Sequence, residues 1–244
     1  EKPNFTSLAY SNRLIGGILP HAGYVFSLHQ AIHFFAILEN SEQRFDTIII
    51  VNPDHHGNGD AISIDGHNEW ETPLGSVKVD IDMANAMSFS KSMIAQSQEH
   101  SAEVIIPLLQ HFVNYDFMIL PISMRIQNIE NSRKLANEIY ERASEMGKKI
   151  LFIASSDFSH YVSPEFGFKQ DDKVVKEILN FQGENIFEKV KKYNVSMCGY
   201  GPVMSLIEYS KLICEKPEAK ILKRGHSGEV YSSNEVVDYI SFAL

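Results

Sequence analysis

The chain has 244 residues, of which 44% are apolar and 22% charged, a balance that fits a globular protein and excludes disorder, a collagen-like repeat or a disulfide scaffold. Lys and Arg number 22 against 31 Asp and Glu, a formal net charge of −9, so the basic footprint that nucleic-acid and anionic-membrane partners need is missing. Two cysteines, Cys198 and Cys214, suit a reducing compartment. No apolar run approaches the ~18 residues of a membrane span. Glu1-Lys2-Pro3-Asn4-Phe5 has no signal-peptide character, and the expected location is cytoplasmic. The chain begins without methionine, as a fragment would.

Strand and helix alternate along the chain. Leu14 to Leu19 is a buried-strand run stopped by Pro20, and helical spacing runs from Phe26 to Leu38. Thr47-Ile48-Ile49-Ile50-Val51 is the clearest strand, β-branched throughout and stopped by Asn52-Pro53. Short strands at Ala61–Asp65 and Ser76–Asp80 flank a turn at Thr72-Pro73-Leu74-Gly75. A helix follows at Ile81–Met93, and another at Ser101–Val113, capped by Ser101 and broken at Pro107. Phe117–Ile122 is a strand, Asn131–Gly147 an amphipathic helix, and Lys149–Ala154 a strand. Two helices fill Asp171–Tyr193, with Lys189, Lys191 and Lys192 on a solvated face. A helix at Pro202–Ile213 and strands at Ala219–Leu222 and Val236–Phe242 complete the chain. No internal repeat or linker interrupts it, so residues 1–244 read as one domain.

Strands that are apolar on every residue are buried on both faces, as in a parallel sheet covered by helices. The expected fold is therefore a single three-layer α/β/α domain with a mostly parallel central sheet. In such sheets ligands bind at the carboxyl ends of the strands.

Three of those ends carry histidine: Pro20-His21-Ala22-Gly23-Tyr24, Asn52-Pro53-Asp54-His55-His56-Gly57 and Ser155-Ser156-Asp157-Phe158-Ser159-His160. Imidazole is the commonest metal ligand and the side chain best suited to proton transfer near neutrality. His56, beside His55 in an extended loop, points elsewhere and suits a contact around the site or with substrate. His29, His33, His67, His111 and His226 have no motif around them and read as structural or surface. In Glu99-His100-Ser101-Ala102-Glu103 both glutamates read as helix caps, and His100 either belongs to the loop or lines the site. Met197-Cys198-Gly199-Tyr200-Gly201-Pro202 opens a helix, where a thiol pKa is lowered, although a small buried hydrophobe is the plainer role for Cys198. Cys214, beside Leu212 and Ile213, reads as core. No GxSxG, GxxxxGK[ST], GxGxxG, HExxH or CxxC motif is present.

These motifs, together with Thr72-Pro73-Leu74-Gly75, Glu99-His100-Ser101 and Cys198-Gly199, stand in the order found in the Memo family, which the chain resembles over nearly its whole length. That family is similar in fold to the class III extradiol ring-cleaving dioxygenases, which use non-heme Fe(II). The resemblance implies that His21 and His55 are metal ligands, with Cys198 third where those enzymes carry glutamate. It implies that His160 is the acid/base, with Asp157 beside it, and that His100 lines the pocket. Asp54 stands where the family more often has a small polar residue. Fe(II) is the implied ion; thiolate in place of carboxylate softens the donor set and makes Cu or Zn suitable too.

The function implied is a metal-dependent oxidoreductase of unknown substrate. Two alternatives stand beside it. One is a non-enzymatic adaptor that binds a peptide or protein, as animal members are linked to signalling, while microbial members accompany AMMECR1-like and radical-SAM proteins. The other is a zinc hydrolase with Asp157 or Asp54 as base.

Overall fold

The structure is a computed structural model that describes residues 13–244, so the Glu1–Phe5 segment lies outside the described residues. From the N-terminal side the chain runs β1 (Gly16–Leu19), α1 (Tyr24–Glu39), β2 (Thr47–Pro53), β3 (Ile62–Asp65), β4 (Glu69–Thr72), β5 (Gly75–Lys78), α2 (Ile81–Ala86) and β6 (Ser90–Ser92). It continues with α3 (His100–Glu103), α4 (Ile106–Phe112), β7 (Met118–Met124), α5 (Ile129–Met146), β8 (Ile150–Ser155) and β9 (His160–Val162). It ends with α6 (Pro164–Leu179), α7 (Gly183–Tyr193), α8 (Tyr200–Ile213), β10 (Lys220–His226) and β11 (Val236–Ala243).

One sheet takes nine strands in the order β10-β11-β1-β8-β2-β7-β3-β6, with β9 paired to β11. Its centre, β1-β8-β2-β7, is parallel, with Ile18 opposite Ala154 and Ile49 opposite both Phe152 and Leu120. Antiparallel β11 and β3 flank that centre. Ile48, Ile49, Ile50 and Val51 have no exposed surface, as expected for a strand covered on both faces. Helix α1 packs on β10 and β11, and α8 crosses β1, β2 and β8 from the other side with α5 and α7 behind it. Gly16 and Gly17 let both layers approach β1: a Cβ on Gly16 would meet Leu206 Cδ1 of α8 at 2.8 Å, and one on Gly17 the Phe34 ring of α1 at 2.3 Å. The expected α/β/α architecture with a mostly parallel sheet is the observed one. Among the described residues no helix is long and apolar enough to cross a membrane.

Several local expectations shift. The helix predicted to reach Met93 stops at Ala86, and Ser90–Ser92 form β6 instead; Met87 is already extended at φ −85°, ψ 147°, and the Ser88-Phe89-Ser90 run favours that conformation. The break expected at Pro107 falls earlier, at Val104-Ile105, and Pro107 sits in the first turn of α4, where a missing N–H costs nothing. Helix α5 has the predicted end, with Gly147 left-handed at φ 65°, but is capped by Asn128. Helix α6 starts at Pro164, seven residues before the predicted Asp171. Cys214 is exposed, not core: it is extended at φ −144°, ψ 133° past the last turn of α8.

Candidate metal centre

His21 leaves the end of β1 and is buried. Its backbone N–H donates to Asp157 Oδ1 at 2.8 Å. Its ring Nδ1 lies 2.7 Å from Ser155 Oγ, and that hydroxyl donates to Ser101 O at 2.6 Å. The Ser155 proton is thus spent on a carbonyl, so Nδ1–H is the donor to Ser155 and Nε2 carries the lone pair. That Nε2 faces Cys198 Sγ at 3.3 Å. Burial first, and then the neighbouring His55 and His100, hold the His21 pKa well below the usual imidazole value, so the ring is neutral.

His55 follows β2 on a loop wrapped around Asp54. Asp54 Oδ1 accepts from the N–H groups of His56, Gly57 and Asn58 at 3.1, 2.6 and 3.2 Å, and Oδ2 from Gly59 at 2.8 Å. Four backbone N–H groups thus make Asp54 the organiser of its own loop. Glu99 then fixes His55: Oε2 accepts the backbone N–H at 2.8 Å and Oε1 accepts Nδ1–H at 2.9 Å. The bond to Glu99 raises the His55 pKa against the pull of burial. Burial alone would raise Glu99, but the bonds from the His55 ring and from Ser101 take it down to about 2. Glu99, not Ser101, caps α3: it accepts from Ser101 N at 3.1 Å and from the Ser101 hydroxyl at 2.6 Å.

Cys198 stands just before α8, whose cap is Gly199. Its Sγ accepts the Asp157 N–H at 3.2 Å. A Cβ on Gly199 would meet Ser155 O at 2.2 Å, so only glycine brings this turn so close to the end of β8. The lowered thiol pKa expected at a helix start is not found. Burial, reinforced by the Asp157 charge, pushes the thiol up, so without metal it is protonated.

The ligand atoms of His21, His55 and Cys198 lie within 4.8 Å of one another, a group able to hold a metal ion. His100 closes a triangle of imidazoles with His21 and His55, its own side chain 52% exposed. His160, at the start of β9, is anchored on Ser196: its backbone N–H donates to Ser196 Oγ and its Nδ1–H to Ser196 O, both at 2.7 Å. Its Nε2 is therefore the nitrogen with the lone pair. His160 lies outside the trio and acts on His21 and Asp157 through its charge. Burial raises Asp157 to about 6, against the bond from His21 N–H and the charge of His160. His56 is exposed beside the site. The remaining histidines lie elsewhere: His67 on Asp65, His29 against His33, His111 against Phe112 and His226 against Phe168.

Sequence reasoning missed what holds the ligands. Glu99 read as a cap, which it is, and its grip on His55 was hidden behind that role. Ser155 carried a findable signal: as the last residue of a strand parallel to β1, opposite Leu19, it had to stand next to the His21 loop.

Fold and site together define an α/β protein with a candidate His/His/Cys metal centre at the carboxyl edge of its parallel strands. Residues 4–243 match the model of the Memo-like protein family, and the chain belongs to that family. Its relatives include a MEMO1 family protein of Methanosarcina barkeri, 36% identical over 235 residues, covering 95% of this chain and 86% of that protein. Another, from Methanococcus vannielii, is 37% identical over 234 residues, covering 92% and 82%. An uncharacterized protein of Escherichia coli K12 shares the fold at a TM-score of 0.59 and 12% identity, covering 94% of this chain and 99% of that one.

Proposed function

We propose that this protein binds one redox-active metal ion through His21 Nε2, His55 Nε2 and Cys198 Sγ, and acts as a metal-dependent oxidoreductase on a small molecule or peptide. One observation carries the reading: both imidazoles are committed at Nδ1, to Ser155 and to Glu99, so both keep Nε2 for an ion beside the thiol. Two neutral imidazoles and a thiolate would hold Fe(II), and the soft thiolate makes copper or zinc suitable too. A bound iron or copper ion supplies Lewis acidity and one-electron chemistry at its open positions.

The protein groups supply the rest. Cys198 gives up its proton when it ligates. Glu99 and Ser155 hold the two rings in place. His160 receives and returns a proton at Nε2, its ring steadied by Ser196. Asp157, raised to about 6 by burial, is an ionised neighbour of the centre at neutral pH and, through its backbone N–H, keeps Cys198 Sγ in position.

The test is metal content after purification without oxygen and without an affinity tag, for the parent and a His21→Ala, Cys198→Ala variant. Stoichiometric iron or copper in the parent alone is the expected result. No metal in the parent, even after reconstitution, overturns the reading. His160→Ala should keep the metal and lose turnover; loss of metal would make His160 a ligand.

A further inference from the structure

We infer that His100 is a further ligand of the same centre, so that the loaded resting site holds three imidazoles and one thiolate. This rests on the metal-binding reading above. The first support is spacing. The His21 and His55 ring centres are 5.3 Å apart, and the His100 ring centre is 5.5 Å from His21 and 5.3 Å from His55. His100 thus keeps from each proposed ligand the distance they keep from one another. An imidazole bound at about 2.1 Å puts its ring centre about 3.2 Å from the ion, and two such rings at a tetrahedral angle stand about 5.2 Å apart. The ring-centre distances match those of three imidazoles on one ion, while the His55 and His100 planes lie 17° apart, so the His100 ring must turn to aim a nitrogen at that ion.

The second support is that His100 is only loosely held, in an ion-pair contact with Glu99 when it is protonated. His55, Glu99 and His100 also bring their ligand atoms within 4.8 Å of one another. Glu99 is already engaged by His55 and Ser101: Oε1 accepts from His55 Nδ1, Ser101 N and Ser101 Oγ, and Oε2 accepts from His55 N. His100 Nδ1 stays 3.7 Å from Oε1, outside hydrogen-bond distance. The third support is freedom to move. Joining His21 and Cys198 takes a turn of the His100 side chain, and its 52% exposure leaves room for one. In the closed arrangement His100 occupies a position that a substrate donor takes over, which makes access to the ion depend on displacing its imidazole.

The experiment is a Co(II) titration of the metal-free parent, of His100→Ala and of His56→Ala as an exposed-histidine control, with thermal unfolding run on each. The parent should show thiolate charge-transfer absorption and intense tetrahedral d–d bands, and X-ray absorption should count three imidazoles. His100→Ala should count two, bind more than tenfold more weakly and lose d–d intensity, while His56→Ala matches the parent. A His100→Ala protein with an unchanged imidazole count, whatever its affinity, overturns the assignment and leaves the three-donor reading standing. A parent that takes up no Co(II) overturns both.

Discussion

Glu99 grips His55 at two points, with Oε2 on the backbone N–H at 2.8 Å and Oε1 on ring Nδ1 at 2.9 Å. The same carboxylate starts α3, so the helix start and the ring orientation cannot vary independently. Glu99→Gln removes the charge that holds the Nδ1 proton. Metal affinity should fall by about 10–100-fold with the fold retained, read by competition against a chelator. Equal affinity would show that the ring is held by something else.

Ser155 relays between His21 and the Ser101 carbonyl. Ser155→Ala leaves a buried carbonyl without its donor, at a cost of about 1–3 kcal/mol. Thermal unfolding should drop by several degrees. The His21 ring also loses the acceptor that fixes its proton on Nδ1, and imidazole 15N shifts should then report both tautomers in place of one.

Metal binding as proposed carries a proton count. His21 is neutral near pH 7, the Cys198 thiol is protonated throughout the neutral range, and His55 is raised. Binding therefore frees one proton, from Cys198, above the His55 pKa and two below it. The logarithm of the apparent affinity should climb by about one per pH unit on the high side and about two on the low side. Calorimetry in buffers of different ionisation heat counts the protons, and a flat profile would remove the thiol from the ligand set. In the metal-free protein Glu99 works in the same pH direction. Its folded pKa is depressed, so its stabilisation is complete above the ordinary carboxyl range and is lost as pH falls toward 2.

Gly199→Ala would drive a Cβ into Ser155 O at 2.2 Å and Ser156 Cβ at 2.7 Å. Backbone cannot yield as a flexible side chain does, so the turn bearing Cys198 must move. A loss of about 1–3 kcal/mol or more in denaturant unfolding is expected, together with loss of the metal site. Wild-type metal binding in this variant would refute the tight turn.

Away from the centre, Asp171 and Asp238 are both fully buried between α6 and β11. Burial, then Asp171, raises Asp238 to about 8 against the pull of Arg224. The folded chain keeps a proton that the unfolded chain releases, so stability falls as pH climbs from the carboxyl range to about 8. Asp238→Asn should be the more stable protein at pH 8, by about 1 kcal/mol or roughly 2–4 °C in Tm, with the difference closing at pH 4. A variant less stable at both values would disprove the account of a proton retained on Asp238 in the folded chain.

The parallel centre and its histidine-bearing ends were legible because the signals are local: unbroken β-branched runs, stopped by Pro20 and Asn52-Pro53. Environment was not. Cys198 sits at a helix start, yet burial and Asp157 set its proton affinity, and neither follows from spacing. Asp54 read as a carboxylate free for chemistry, while four backbone N–H groups in its own loop absorb it. Cys214 read as core from Leu212 and Ile213, but the end of α8 turned it outward. Ser101 and Ser155 meet across 54 positions of chain, and no window of sequence spans that contact.

His21 Nε2 and Cys198 Sγ are 3.3 Å apart in space and 177 residues apart along the chain. That separation sets an order of events. On a ribosome adding about 5–20 residues per second, both histidine loops emerge on the order of ten seconds before the cysteine. The nascent chain passes through that interval with an incomplete set of donors. If an ion binds as proposed, loading is a late checkpoint: a loaded molecule would be one in which β1, β2, β8 and the start of α8 have already found one another.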